Sequence, residues 1–349
     1  MSDHKLPTVK LIAKQLNVSV STVSRALSDH PRIGLRTKTR VQELAKELNY
    51  EPNAKAIFFK QRKTFIVGVI LPYIREEFFS QAISGIEAAA MEHNYTILFG
   101  QSYDNPDRER QVVEAMKKQR VDGLIISLSK DTNKYDHLLA LEKFDIPVVY
   151  FDRVPVTDQV HKVYCDLYKG TTEMVNWLFN RGYRRVAFIN GPDKLPASKE
   201  RMKGYLEGVS RQKLKIDMQM VETTDLSRES THEAMRKLLA LKHRPHAIVS
   251  FNDYVHMDAV QYAEQQNIRI NKDIAFVSYA NLPITGYTAF PPMASIEQYP
   301  FGQGNKAMEL MIRILNQKGD VVNGPLGYQH EKVEPTLVMH QPVASNLKM

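Results

Sequence analysis

Cysteine is almost absent from this chain. Cys165 is the only one in 349 residues, so there is no intrachain disulfide and no thiolate cage for a metal, and a reducing interior suits the chain. Long apolar runs are missing as well: none reaches the roughly 18 residues that a membrane span needs. The N-terminus, MSDHKLPTVKLIAKQLN, carries charges where a signal peptide would have its apolar stretch. The expectation is a soluble cytoplasmic protein with no membrane partner, in which the sequons at Asn17 and Asn94 mean nothing. Beyond residue 64 there is no excess of charge either, with 34 Lys and Arg against 34 Asp and Glu. Residues 1 to 64 hold 13 against 5, which is the whole of the net +8. A basic module on a neutral body follows, and a polyanionic partner is the natural first reading, with an ordinary solvated basic surface as the alternative.

What is present is ample core material. With 43% hydrophobic and 25% charged residues, the chain can fill two or three domains, and disorder is ruled out for most of it.

In KLIAKQLNVSVSTVSRALS (residues 10 to 28), apolar side chains at Ile12, Ala13, Leu16, Val18, Val23, Ala26 and Leu27 mark two short helices with a break between them. Small Ala13 permits a close crossing, Asn17 can take the left-handed conformation of a tight turn, and Ser19 can cap the second helix. This is a helix-turn-helix pattern. In TKTRVQELAKELNY, Val41, Leu44, Ala45 and Leu48 recur at helical spacing and close a three-helix core. The second helix leaves Val20, Ser21 and Arg25 off its buried stripe near the start, where a recognition helix meets base edges. Arg25 is the candidate guanine reader, because its planar fork matches O6 and N7; a phosphate contact or plain solvation is the alternative. In YEPNAKAIFFKQRKT, Pro52 stops the third helix, Asn53 can cap a new one, and Ala54 and Ala56 are small enough for a partner helix to approach. Such a linker helix is too short to be stable alone.

Taken together, TVKLIAKQLNVSVSTVSRALS and VQELAKELNYEPNAKA resemble, without a gap from Thr8 to about Lys60, the DNA-binding head of the LacI/GalR family of bacterial transcription regulators. The resemblance implies DNA contacts at Thr8, Val20, Ser21, Thr22, Arg25, Asn53, Ala56, Phe59 and Lys60. It also implies a linker helix that folds when two subunits meet on operator DNA, with an apolar wedge in the minor groove. Phe59 stands at the wedge position, and a ring there can unstack bases as Leu or Met does. Packing against the body is the other reading for Phe59, and more so for Phe58. Two positions depart from the family: Ile57 stands where Arg is common, and Leu11 where an acidic residue is usual.

From Phe65 onward, apolar runs (FIVGVILP, YTILFG, GLIISL, IPVVYFD, then RRVAFING, MQMVET, HAIVSFN, IAFVSYA) alternate with amphipathic stretches. Each run suits a buried parallel strand. Eight strands in two sets of four, changing set near Asp152 to Asp166, fit two α/β lobes with a ligand between them at the strand carboxyl ends. The fold expected is thus an N-terminal all-α helix-turn-helix head (1–52), a hinge helix and linker (53–64), and an α/β two-lobed body with parallel sheets (65–349). The resemblance makes the body periplasmic-binding-protein-like, with three crossings between lobes, so that segments after about Ile296 return to each lobe in turn.

Catalysis is not expected. GQGNKA (302–307) mimics a dinucleotide fingerprint but follows Pro300 rather than a strand. His243 and His246 lack further ligands at metal spacing, and Asp152, Asp166 and Asp253 come with no nucleophile and base. No cofactor or metal follows from these residues.

Strand ends place Asp152, Arg153, Asn190, Asn252 and Asp253 at the lip of a crevice, with Arg201 in the ERMKGYLEG stretch. Carboxylates that accept from adjacent hydroxyls and Arg forks that donate to two suit a sugar. By resemblance, Arg201 and Asp253 match effector contacts, and Phe78 and Phe79 match an aromatic pair on the ligand. Pairing of Arg201 with Asp253 across the cleft, and scaffold roles for Asn190, Arg153 and Phe78, are the alternatives. Leu226 stands where several relatives stack an aromatic, which favours a sugar or sugar derivative over a nucleobase; Tyr103 or Tyr254 could fill the ring position instead. The whole reads as a homodimeric regulator, expected to repress, that binds a partly palindromic operator. Lobe movement would set linker spacing, with ligand and DNA coupled by about 1–3 kcal/mol. The absence of a heptad-like tail after His340 favours a dimer over a tetramer. A solute sensor attached non-specifically to nucleic acid is the competing reading.

Overall fold

The computed structural model describes residues 7–50, 63–317 and 327–340. Two compact units emerge, Met1–Thr64 and Phe65–Met349. In the first, α1 (Val9–Leu16), α2 (Val20–Leu27) and α3 (Leu35–Glu47) surround Ile12, Ala13, Val23, Ala26, Val41 and Ala45. Asn17 takes φ 52°, so its amide and that of Val18 close the end of α1 onto the Ala13 carbonyl. Ser19 Oγ accepts from the Thr22 amide at 3.0 Å and starts α2. The third helix begins two residues earlier than its apolar pattern suggests, directly after Gly34. Lys38 Nζ ties it to Asp29 Oδ1 at 2.6 Å.

The second unit has two lobes. Lobe 1 begins with β1 (Ile66–Leu71), α4 (Glu77–Glu92), β2 (Thr96–Gln101), α5 (Pro106–Lys118), β3 (Gly123–Ile126), α6 (Asp136–Leu139), β4 (Val148–Phe151) and β5 (His161–Cys165). Lobe 2 continues with α7 (Leu167–Asn180), β6 (Val186–Asn190), α8 (Pro196–Arg211), β7 (Val221–Thr223), α9 (Arg228–Ala240), β8 (Ala247–Ser250), α10 (Asp253–Gln265), β9 (Ala275–Ala280) and β10 (Ala294–Glu297). The chain then returns: α11 (Pro300–Gln317) packs on α4, β11 (His330–Val333) joins sheet 1, and β12 (Thr336–Met339) joins sheet 2. The sheets run β11-β5-β4-β3-β1-β2 and β12-β10-β9-β8-β6-β7.

All eight strands expected from apolar runs form, in two sets of four. Four more join them. β5 opens on two polar residues (HKVYC), and β10, β11 and β12 are short and mixed, so none makes a long apolar run. Sheet 2 is not wholly parallel: β12 pairs antiparallel to β10, because only Glu334 and Pro335 separate it from β11. The return of the chain to each lobe after Ile296 is as expected. Crossings fall at Asp166, at Gln298–Tyr299 and at Glu334–Pro335.

The fingerprint-like GQGNKA lies inside α11 and has a packing role. A Cβ on Gly304 would sit 2.0 Å from the Ala82 carbonyl oxygen, and one on Gly85 2.0 Å from that of Phe301, so the two helices touch backbone to backbone. Gly302 has room, its nearest neighbour being 3.6 Å away. Gly304→Ala is therefore expected to destabilise by about 1–3 kcal/mol through overpacking. Gly302→Ala should be neutral or stabilising by up to about 1 kcal/mol through helix propensity; urea unfolding of both variants measures the contrast.

Candidate DNA-reading helix and ligand cleft

At the start of α2, Val20 is 46% exposed and Ser21 is open to solvent. The Ser19 hydroxyl holds both the Ser21 and Thr22 hydroxyls at 2.8 Å, which fixes their rotamers beside the helix N-terminus. Arg25 is exposed one turn on, and its guanidinium has no hydrogen bond or ion pair among the described residues. Thr8 is exposed and caps α1 through the Leu11 amide at 3.3 Å. One helix face thus presents a free fork and small hydroxyls, the groups that reach base edges and phosphates. Asn53, Ala56, Phe59 and Lys60 lie outside the described residues.

Between the lobes lies a cleft of about 60 Å³. Of the residues singled out from sequence, Phe78, Phe79, Asp152, Arg153, Arg201 and Asn252 line it. Sequence reasoning missed Glu76, Phe251 and Gln298: Glu76 precedes α4, Phe251 follows β8 but is apolar, and Gln298 sits within a crossing. Tyr254 lines the cleft, whereas Tyr103 and Leu226 do not. Tyr103 is instead covered by the Arg108 guanidinium, 4.5 Å from its ring centroid.

Two expected contacts stand behind the lining. Asn190 is buried and spent on its surroundings, donating to the Ser198 carbonyl at 3.1 Å and accepting from the Gly191 amide at 2.9 Å. Asp253 is fully buried at the first turn of α10, where Oδ2 accepts from the Leu282 amide at 2.7 Å and Oδ1 has no partner. Burial pushes its pKa up to about 7. It does not pair with Arg201, whose guanidinium has no carboxylate within 4.0 Å among the described residues. Asn252 caps α10 by accepting from the Val255 amide at 2.9 Å.

The electrostatics of the lining are uneven. Arg153 is held by Asp104; burial works against its charge, yet Asp104, Asp152 and Glu76 keep its pKa above the ordinary arginine value. Arg201, 4% exposed, lies between two rings, 4.2 Å from the Phe251 centroid and 4.6 Å from that of Tyr279. Its best polar contact is Gln298 Oε1 at 3.4 Å, and Nε has no partner. Asp152 sits at φ 57° just past β4 and accepts from Ser127 Oγ at 3.3 Å. Burial raises the pKa of both Asp152 and Glu76. An under-satisfied donor fork and two desolvated carboxyls therefore face one cavity. At its margin the lobes touch: Tyr254 Oη accepts from the Glu77 amide, Glu77 Oε2 from the Ile284 amide, both at 3.1 Å, and Lys130 Nζ donates to the Asp225 carbonyl at 3.1 Å.

Two lobes around a polar cleft, in one chain with a helix-turn-helix unit, define a class of regulator built from a DNA-reading part and a ligand-binding part. Family models agree in both parts: "Bacterial regulatory proteins, lacI family" matches residues 8–53, and "Periplasmic binding proteins and sugar binding domain of LacI family" matches residues 64–331. The chain belongs to the LacI family of DNA-binding transcriptional regulators. Similar proteins include the HTH-type transcriptional repressor CytR of Escherichia coli strain K12, 27% identical over 87% of this chain and 89% of its own. The repressor PurR of Klebsiella pneumoniae strain 342 is 27% identical over 97% of both. Among solved structures, a lac repressor dimer bound to operator and the anti-inducer ONPF superposes with TM-score 0.79 at 22% identity, over 96% of this chain and 98% of that one. Among the described residues, no helix is long and apolar enough to cross a membrane.

Asp253 makes stability depend on pH. The native carboxyl keeps its proton to about pH 7, while in the unfolded chain it ionises near pH ~4. Between these values the native state binds more protons, so this residue's contribution falls as pH rises and levels off above about 7. Asp253→Asn is expected to gain stability relative to wild type as pH goes from about 5 to 8, read as a widening difference in urea midpoint.

Proposed function

We propose that this protein is a homodimeric repressor that grips a two-half-site operator through paired heads and answers to a sugar of monosaccharide size held in the cleft. The observation that carries the effector reading is Arg201, a buried guanidinium without a carboxylate, facing Asp152 and Glu76 across the cavity. A ligand with several hydroxyls fits both sides, because each hydroxyl donates to a carboxylate and accepts from the fork. The cleft is small, about 60 Å³, which suits a compact ligand. The family model that covers the body is itself described as a sugar-binding domain.

Homodimerisation follows from the reading of DNA by paired heads, since a two-fold protein matches a two-fold site. The lac repressor dimer bound to operator is one such assembly in a similar fold. The cleft contacts between Glu77, Tyr254 and Ile284 form when the lobes are together, so a ligand that bridges the lobes alters their balance and, through it, the spacing of the two linkers.

Titration of a monosaccharide panel, with disaccharides and nucleosides as controls, tests the effector, and binding confined to nucleosides would overturn it. For the hit, Arg201→Ala should weaken binding by at least about tenfold, the loss of charge-assisted hydrogen bonds, while leaving operator affinity unchanged. On an operator found by in vitro selection, Arg25→Ala should reduce discrimination at one base pair by about 1–3 kcal/mol. Mobility shifts against single-base variants measure it, and undiminished preference removes Arg25 from base reading.

A further inference from the structure

The cleft is not the roomiest cavity in the body. A pocket of about 320 Å³ opens at the other end of sheet 1, where α6 and the turn after it approach the first residues of β4 and β5. The strands of this sheet run parallel, so this is also the end at which the chain enters β1 after Phe65. The volume is in the range of small-molecule sites. Leu138, Ile146 and Val160, each no more than 6% exposed, form an aliphatic floor. The rings of Tyr328 and His161, 5.5 Å apart and edge to face, make one wall.

Two polar groups of the lining lack a partner among the described residues. Tyr150 is 2% exposed, and its hydroxyl makes no hydrogen bond; burial raises its pKa, so it stays a neutral phenol that can donate or accept. His161 accepts the Gln329 amide at Nδ1, 3.2 Å away, which leaves a hydrogen on Nε2. Burial and the nearby His330 lower its pKa and keep the ring neutral. Glu142 is exposed at the mouth, and among the described residues no Lys or Arg lines the pocket. Such a lining excludes an anion and welcomes an amine. The flat walls and the phenol of Tyr150 call for a ring with a hydrogen-bonding edge.

We propose that this pocket is a second ligand site, separate from the cleft, for a small aromatic amine. The ring lies on the aliphatic floor against Tyr328 and His161, its polar edge meets Tyr150 or His161 Nε2, and the amino group faces Glu142. One strand joins this site to the cleft: Val148 and Tyr150 of β4 line the pocket, and Asp152 and Arg153 just beyond β4 line the cleft.

The test uses the full chain with tryptamine as probe and indole-3-acetate as a control of the same ring and opposite charge. Calorimetry gives affinity, and methyl-detected NMR gives location. Tryptamine is expected to bind saturably, with shifts at Leu138, Leu139, Val148 and Val160, and indole-3-acetate at least about tenfold more weakly. Glu142→Gln should narrow that gap, and Leu139→Trp, at a rim position 55% exposed, should block the site without touching the core. Absence of saturable tryptamine binding, equal binding of indole-3-acetate, or shifts confined to Leu195 and Leu282 of the cleft would each overturn the proposal.

Discussion

Everything the body does depends on three chain crossings that run side by side between the lobes. They are stapled to one another: Lys332 Nζ meets Asp166 Oδ2 at 2.8 Å, Lys169 Nζ meets Glu334 Oε2 at 2.7 Å, and the Tyr299 and Thr336 hydroxyls are 2.8 Å apart. Exposed ion pairs of this kind contribute little stability singly. Their value is geometric, because three short strands bound together bend about one line and leave each packed lobe intact. Gln298, the contact of Arg201, lies in the second crossing, so ligand chemistry and hinge geometry share a residue.

The lobes divide the polar labour of the cleft. Asp104 captures Arg153 within lobe 1, which leaves Asp152 without a full counter-ion. Arg201, from lobe 2, is clamped between Phe251 and Tyr279, which fix its plane but cannot satisfy its N–H groups. Asp253 and Asn190 stand one step back, holding the Leu282 amide and the Ser198 carbonyl, while Asn252 both lines the cleft and caps the first turn of α10. Desolvated groups placed in this way gain from a ligand what the protein itself leaves unsatisfied.

Much of this was legible in the sequence. The αL turn at Asn17 and the cap at Ser19 follow from residue type and spacing, and the eight apolar runs needed no context to be seen as strands. Asp152, Arg153 and Asn252 could be placed because a parallel sheet presents the residues after its strands to the crevice. Other features depended on contacts distant in sequence. β11 is short and mostly polar, β12 is only four residues long, and each is held by its pairing, to β5 and to β10. Phe251 and Gln298 enter the site through a ring face and a crossing, neither of which leaves a periodic signal. Asn190 and Asp253 stand at strand ends too, and their polar partners, a carbonyl eight residues on and an amide 29 residues on, leave no signal in the sequence. The glycines of GQGNKA likewise gain their meaning from α4, more than 200 residues earlier.

That contact between α4 and α11 also bears on how the chain acquires its shape during synthesis. Lobe 1 opens with β1 but is completed by α11 and β11, so the first-made strands must wait, with the groove beside Gly85 unfilled, until nearly the whole polypeptide has left the ribosome. Lobe 2 is mostly contiguous and can consolidate earlier, although it too awaits β12. A nascent lobe 1 therefore spends the longest time with bare apolar surface, which makes it the natural client of a chaperone and the first part to aggregate when translation stalls.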